Sequence, residues 1–177
     1  MSKLTVILFV LCIVLAGCTK SDVSGLAAIK AQAAIDDKII TDYLAAHPGL
    51  NAKRVDAAGA DTSGVYYIIK QTGVGKTLFT NSTQVTVADT GRLLTSGQIF
   101  TQTNSFHPTY VLSQLILGWQ AGLPLCQKGG IIRLLIPSRY AYGPNAQPTV
   151  GGDYGLTGGL PANAVLDFDI QLIDVVN

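Results

Sequence analysis

The residues that could do chemistry in this sequence are concentrated in one apolar stretch, from Tyr110 to Gly143. It contains the only tryptophan, Trp119, and it closes on the tyrosine pair Tyr140 and Tyr142. Apolar and aromatic side chains at this density form a hydrophobic core, a pocket for an apolar ligand, or both. Composition alone leaves both interpretations open.

Other kinds of site are not indicated. His47 and His107 stand alone in the sequence, and because no spacing typical of metal ligands is present, we predict no metal and no cofactor. Cys126 lies between apolar segments, which is more typical of a small buried hydrophobe than of a nucleophile. The GVGKT run at Gly73–Thr77 lacks the glycine that a phosphate loop needs five residues before GKT, where this chain has Lys70. A nucleotide site is therefore excluded.

Length and charge narrow the class of protein further. The chain has 177 residues, enough for one domain with appendages. Charged residues make up 13%, against about 25% in a typical soluble domain. The net charge is +1, so no nucleic-acid partner is predicted.

The N-terminus has the features of an export signal. Lys3 precedes an apolar run from Leu4 to Leu15, which is shorter than the roughly 20 residues that a membrane-spanning helix needs. Leu15-Ala16-Gly17-Cys18 resembles the lipobox of bacterial lipoproteins, which implies cleavage before Cys18 and lipid attachment to Cys18. The alternatives are an ordinary secretory signal or a short anchor. We therefore expect a signal peptide over 1–17 and a chain held by lipid on a membrane of the bacterial cell envelope.

An N-terminal helix is predicted from Leu26 to Ala46, capped by Ser24. Its apolar stripe consists of Ile35, Ile39, Ile40, Tyr43 and Leu44. Such a stripe is expected to pack on its own domain, and pairing with a second copy is the alternative. The residues 51–63 are predicted to be a linker, so the tether, helix and linker together cover 18–63.

The remaining segment, 64–177, has the pattern of an α+β domain. Strands are predicted at 65–70, 84–88 with a continuation at 92–94, 98–100, 131–136 and 165–175, with a short helix at 113–121. Polar or glycine-rich loops are predicted at 101–108 and 144–159. The predicted architecture is an antiparallel sheet that half-wraps around the short central helix, with the N-terminal helix added to it.

The order of several short motifs in this domain resembles that of the FKBP-type peptidyl-prolyl isomerases. The motifs are Thr90-Gly91, Gly97 with Phe100, Ile116-Leu117-Gly118-Trp119 with Gly122, Tyr140-Ala141-Tyr142-Gly143, and Leu160-Pro161 followed by Phe168-Asp169. The resemblance covers roughly 64–175. It implies the half-wrapped fold and an aromatic pocket that receives a proline ring.

The resemblance also implies a role for each matching residue. Trp119 would form the pocket floor, with Phe100 and Phe168 as aromatic walls, and the Tyr142 hydroxyl would bond the peptide backbone. The Ile116 N–H would bond the substrate carbonyl. The candidate catalytic residues are Asp89, Phe100, Trp119, Tyr142 and Phe168, and the candidate substrate-binding residues are Tyr110, Leu115, Ile116 and Leu160.

Two positions depart from the family pattern. Asp89 stands where the family usually has tyrosine, and Thr101 stands where it usually has aspartate, directly after the phenylalanine. In the family these two side chains are hydrogen-bonded beside the substrate carbonyl. We predict that the polar bond is kept with its direction reversed, from the Thr101 hydroxyl to the Asp89 carboxylate.

Three functions remain open from the sequence. The first is an active prolyl isomerase that acts on proline-containing segments of envelope proteins. The second is a binding module of the same fold with weak turnover, which the changes at Asp89 and Thr101 favour. The third treats the aromatic residues as core alone. We predict the first.

Overall fold

The computed structural model describes residues 20–55 and 63–177. The helices are α1 (Lys20–Ala46) and α2 (Leu117–Gly122). The strands are β1 (Lys53–Arg54), β2 (Tyr66–Gln71), β3 (Gln84–Leu93), β4 (Ile99–Gln102), β5 (Thr109–Val111), β6 (Ile131–Ile136) and β7 (Leu166–Val176). Single 3-10 turns lie at Pro48–Leu50, Leu112–Gln114, Leu123–Leu125, Ser138–Tyr140 and Gly152–Tyr154.

The described strands form one antiparallel sheet in the order β1-β2-β6-β7-β3-β4, with β5 also paired to β3. Side chains alternate between the faces of β3, so that Val85, Val87, Asp89 and Gly91 are buried while their neighbours are more exposed. The α+β architecture predicted from the sequence is confirmed: an antiparallel sheet with a short helix packed on its buried face.

Two glycines allow α2 to pack close to the sheet. A Cβ atom on Gly118 would lie 2.5 Å from the Ile136 side chain, and one on Gly122 would lie 2.4 Å from Leu134. Because these glycines are four residues apart, they lie on the same face of the helix, against β6. Trp119 is thereby held in the main core, where it is 5% exposed.

The helix α1 crosses the boundary between two units of the chain, Met1–Ala34 and Ile35–Asn177. In the first unit, Leu26 and Ile29 are exposed. In the second unit, Ile40 is fully buried in a second apolar cluster with Leu94, Leu135 and Val165. The predicted stripe therefore packs on its own domain, although Ile35 at its start is 52% exposed.

Several element boundaries differ from the sequence prediction. The helix α1 already includes Lys20, the first described residue, so the predicted cap Ser24 and Gly25 lie inside the helix and not before its start. The predicted linker 51–63 contains β1, and the predicted loop 101–108 is shortened by β4 at its start. The strand β5, which follows that loop, was not predicted. The predicted helix 113–121 is a 3-10 turn followed by the six-residue α2.

Cys18 and the predicted signal peptide lie outside the described residues. Within the described residues, no helix is both long enough and apolar enough to cross a membrane. The same residues contain no group of three or more His, Cys, Asp or Glu side chains that could hold a metal ion.

Candidate active site

One cavity of about 410 Å³ collects most of the residues singled out in the sequence. Strands β3, β4, β5 and β7 contribute to it, together with the segment that leads into α2, α2 itself and two loops. Its lining consists of Asp89, Phe100, Thr101, Tyr110, Gln114, Leu115, Ile116, Trp119, Tyr142, Val150 and Phe168. A cavity of this size is within the usual range for small-ligand sites.

Three aromatic rings form the apolar part of the cavity. The ring of Phe168 meets Trp119 edge to face at 5.1 Å between centroids, and it meets Phe100 edge to face at 5.5 Å. Edge-to-face pairs are a favourable geometry for aromatic rings. All three residues are at most 5% exposed, so each ring is packed in the core apart from the small area that lines the cavity.

Gly91 on β3 makes room for these rings. A Cβ atom at this position would lie 2.6 Å from the Phe168 ring, 2.8 Å from the Phe100 ring and 2.7 Å from the Thr101 methyl group. Since real Cβ atoms do not approach so closely, any larger residue would displace the two phenylalanines. This close packing explains why the second residue of the Thr90-Gly91 motif is a glycine.

The segment before α2 presents a backbone donor to the cavity. The Ile116 carbonyl accepts hydrogen bonds from the N–H groups of Trp119 and Gln120, at 2.9 and 3.2 Å. No backbone acceptor among the described residues takes the Ile116 N–H. The Gln120 side chain donates to the Leu115 carbonyl at 2.7 Å, which fixes the preceding peptide unit. The position of Ile116 thus suits hydrogen bonding to a ligand carbonyl.

The tyrosine at the cavity edge is held through α1. Tyr142 follows the 3-10 turn Ser138–Tyr140. The buried Asp36 carboxylate on α1 accepts hydrogen bonds from the Ser138 N–H at 2.9 Å and from its hydroxyl at 2.6 Å. Asp37 pairs with Arg139 at 2.7 Å. Two consecutive acids of α1 therefore anchor the turn that leads into Tyr142.

Asp89 is the charged residue of the cavity. Its side chain is 8% exposed, and burial raises the pKa of this carboxyl from its ordinary value of 3.8 to about 6. The backbone of Asp89 is paired with Thr103: the Thr103 hydroxyl accepts from the Asp89 N–H at 2.8 Å, and the Thr103 N–H donates to the Asp89 carbonyl at 3.0 Å.

The predicted hydrogen bond from Thr101 to the Asp89 carboxylate is not formed in the described structure, although both side chains line the cavity. The reason is the strand register. Thr101 stands opposite Gly91 on β3, so Thr103 stands opposite Asp89 and takes its backbone groups. Thr101 is only a diagonal neighbour of the carboxylate.

The structure brings eight of the nine candidate binding and catalytic residues to this cavity. The exception is Leu160, which is fully buried in the core and pairs with Gln147. It therefore holds the base of the loop over 144–159 through Gln147 and does not line the cavity. Val150 of that loop and Gln114 are lining residues that no motif singled out.

A second depression of about 360 Å³ lies over Ala88 and Thr90, whose side chains alternate with the buried ones of β3. Its described lining includes Lys70, Asp169 and Gln171, shares Asp89 with the aromatic cavity, and contains no aromatic side chain. It lacks a rigid apolar surface, so the aromatic cavity is the better candidate for a functional site.

Comparison with known proteins agrees with this geometry. A family model described as FKBP-type peptidyl-prolyl cis-trans isomerase matches residues 75–173. The chain is 36% identical over 117 residues to the FKBP-type peptidyl-prolyl cis-trans isomerase FkpA of Buchnera aphidicola subsp. Schizaphis graminum. That alignment covers 66% of this chain and 42% of the relative. The chain is also 37% identical over 107 residues to FK506-binding protein 1 of Candida glabrata, covering 58% of this chain and 85% of that protein.

Solved structures of similar fold include a peptidyl-prolyl cis-trans isomerase from Pseudomonas syringae pv. tomato. It has a TM-score of 0.63 and 25% identity, and the match covers 84% of this chain and 96% of that one. The structure of FkpA from Escherichia coli has a TM-score of 0.55 and 27% identity, covering 99% of this chain and 82% of that one. The chain spans less than half the length of the FkpA relatives from Buchnera, between 41% and 48%.

Proposed function

The chain belongs to the FKBP-type peptidyl-prolyl cis-trans isomerase family, and we propose that its aromatic cavity binds a proline ring and catalyses rotation about the preceding peptide bond. The observation that supports this most directly is the set of three interlocked rings, Phe100, Trp119 and Phe168, around a cavity of about 410 Å³.

The proposed chemistry needs no nucleophile. Amide resonance opposes rotation about the X–Pro bond with a barrier of about 20 kcal/mol. The twisted transition state has lost this resonance, and its carbonyl is less polar than that of the planar amide. A dry aromatic surface that offers few donors to that carbonyl therefore binds the twisted state better than the planar one.

Polar groups at the cavity edge would hold the substrate backbone. The Ile116 N–H, which has no backbone acceptor among the described residues, would donate to a substrate carbonyl. The Tyr142 hydroxyl would bond the peptide backbone. Asp89 would supply a negative charge near the carbon of the rotating amide, from the strand next to the one where the family has its acid.

The second candidate function is a peptide-binding module with weak turnover. It is favoured by one observation: the Asp89 carboxylate is not hydrogen-bonded to Thr101, so the polar pair of the family has no equivalent in this cavity. Binding of a proline ring uses the aromatic surface alone and does not depend on that pair.

The test measures the rate of isomerisation of a Leu-Pro peptide by NMR exchange spectroscopy. The proteins compared are the wild-type chain, Tyr142→Phe and the control Tyr140→Phe. Tyr140 is also partly buried but does not line the cavity. We expect Tyr142→Phe to lower kcat/KM by about 3- to 10-fold, the effect of one net hydrogen bond, and Tyr140→Phe to leave it unchanged. Binding of the peptide without turnover would establish the module instead. Neither binding nor turnover would refute both functions.

We further propose that the chain acts on proline-containing segments of bacterial envelope proteins, and that lipid on Cys18 holds it at a membrane. The support is the sequence Leu15-Ala16-Gly17-Cys18 at the end of a signal-length apolar run. Cys18→Ser should release the protein from the membrane fraction or block its processing, as seen by fractionation and mass. An unchanged mass and distribution would exclude the lipid anchor.

A further inference from the structure

Asp89 lines the aromatic cavity, and its carboxylate has no partner within the described part of the chain. It forms no side-chain hydrogen bond or ion pair there, although its backbone N–H and carbonyl are both bonded to Thr103. The side chain is 8% exposed. Among the residues that the structure describes, no Lys, Arg or His lines the cavity.

The other acids on this sheet are paired. Asp167 is held by Arg133 at 2.7 Å, Asp169 is contacted by Arg92 at 3.2 Å and by Lys70, and Asp174 is held by Lys128 at 2.6 Å. Asp89 is the exception in the described sheet, and it is the acid that faces the cavity. A buried carboxylate without a cation is costly, so a ligand that supplies one gains affinity.

Asp89 also lines the second depression, where the Lys70 ammonium pairs with Asp169 and not with Asp89. The groups that face Asp89 in the aromatic cavity do not compensate its charge either. Tyr110 on β5 and Tyr142 after β6 are the titratable residues close to it, and burial together with the charge of Asp89 raises the pKa of both. Thr101 of β4 and Gln114 before α2 are uncharged lining residues. Burial alone raises the pKa of Asp89 to about 6, so the carboxyl is mostly ionised at neutral pH.

We propose that the preferred substrates are proline-containing segments with a lysine or arginine next to the proline, whose cation pairs with the Asp89 carboxylate. This inference rests on the proposed function. The apolar stem of a long cationic side chain can pack along Leu115 and Val150 while its charged end reaches the carboxylate. The proline ring occupies the aromatic surface at the same time.

The experiment measures the affinity of short peptides in which Lys, Leu or Glu stands immediately before or after a single proline. Titrations use low salt, at about pH 7.5 and about pH 4.5, so that the ion pair is not screened. The proteins are the wild-type chain, Asp89→Asn and the control Asp153→Asn. Asp153 is exposed and does not line the cavity, so this variant makes the same charge change away from it.

At about pH 7.5 we expect the wild-type chain to bind the Lys peptide about tenfold more tightly than the Leu peptide in at least one of the two positions, and the Glu peptide most weakly. Asp89→Asn should reduce the Lys preference to less than about twofold, and lowering the pH to about 4.5, which protonates Asp89, should have the same effect on the wild-type chain. Asp153→Asn should keep the preference. Equal Lys preference in wild type and Asp89→Asn, or no preference at either position, would overturn the proposal.

The Leu peptides separate this failure from failure of the proposed function. Binding and isomerisation of Leu-Pro without any Lys preference would refute the cation preference alone. If none of the three proteins binds any proline peptide, both the proposed function and the cation preference are refuted.

Discussion

Replacing Asp89 with asparagine should stabilise the protein at neutral pH, although it removes a residue of the candidate site. Burial raises the pKa of Asp89 from 3.8 to about 6, so the folded protein holds this proton more tightly than the unfolded chain does. Stability from a raised carboxyl pKa is fully present below about pH 4 and is lost as the pH rises through about 6. An asparagine stays neutral and does not undergo this loss.

The expected magnitude follows from the same pKa. At about 1.36 kcal/mol for each pH unit, a change from 3.8 to about 6 sets a ceiling of about 3 kcal/mol. Because the carboxylate faces a cavity that is open to solvent, part of its hydration is retained, and we take about half of the ceiling. Asp89→Asn should therefore be about 1.5 kcal/mol more stable than the wild-type chain at about pH 7.5 and equal to it near pH 4.

The assay is urea unfolding followed by the fluorescence of Trp119, the only tryptophan, across this pH range. Asp174→Asn is the matched control with the opposite sign. A hydrogen bond from Lys128 lowers the pKa of Asp174, so this carboxylate stabilises the fold above its ordinary pKa and loses that effect as the pH falls. An Asp89→Asn protein that is less stable at about pH 7.5, or a difference that does not vary with pH, would refute the reasoning.

Two further substitutions test how the fold positions the cavity. Gly91→Ala should lower the free energy of unfolding in urea by about 1–3 kcal/mol and weaken proline-peptide binding, because the new methyl group displaces two aromatic rings. The control Gly152→Ala should be neutral, since no atom lies within 4 Å of its Cβ position. A neutral Gly91→Ala would mean that the rings move aside without cost. Asp36→Ala should cost about 2–3 kcal/mol because two buried Ser138 donors lose their acceptor, whereas Asp42→Ala, which removes an exposed pair, should cost under about 0.5 kcal/mol. Equal effects at the two positions would remove the role of α1 in holding the turn.

The sequence predicted best where one physical signal dominates. The strand over 131–136 was predicted with its observed ends, because a short run of branched apolar residues, interrupted only by Arg133 and flanked by glycine and proline, has few alternatives. The predicted strand over 165–175 agrees with β7 to within one residue at each end, since its alternation matches a sheet with one wetter face. The aromatic lining was predicted through the ordered motifs, not through periodicity.

What the sequence did not predict depends on pairing between distant segments. The hydrogen bond expected between Thr101 and Asp89 required knowledge of the β3–β4 register, which places Thr103 opposite Asp89. The sequence did not predict that Asp36 accepts hydrogen bonds from Ser138, because an acidic residue beside the apolar stripe of a helix is usually exposed. Its burial arises only when α1 meets the Ser138 turn, more than a hundred residues away in sequence.

The stability of the fold and the choice of ligand are connected through Asp89. An ionised carboxylate without a partner opposes folding, and the same unmet charge favours a ligand that brings a cation. Since binding that pairs the carboxylate must lower its pKa, a lysine-containing peptide should shift the titration of Asp89 to lower pH, while a leucine peptide that dries the cavity should shift it upward. NMR titration of the Asp89 carboxyl in each complex measures both shifts. Shifts of the same direction in both complexes would show that the lysine does not reach the carboxylate, even if its peptide binds more tightly.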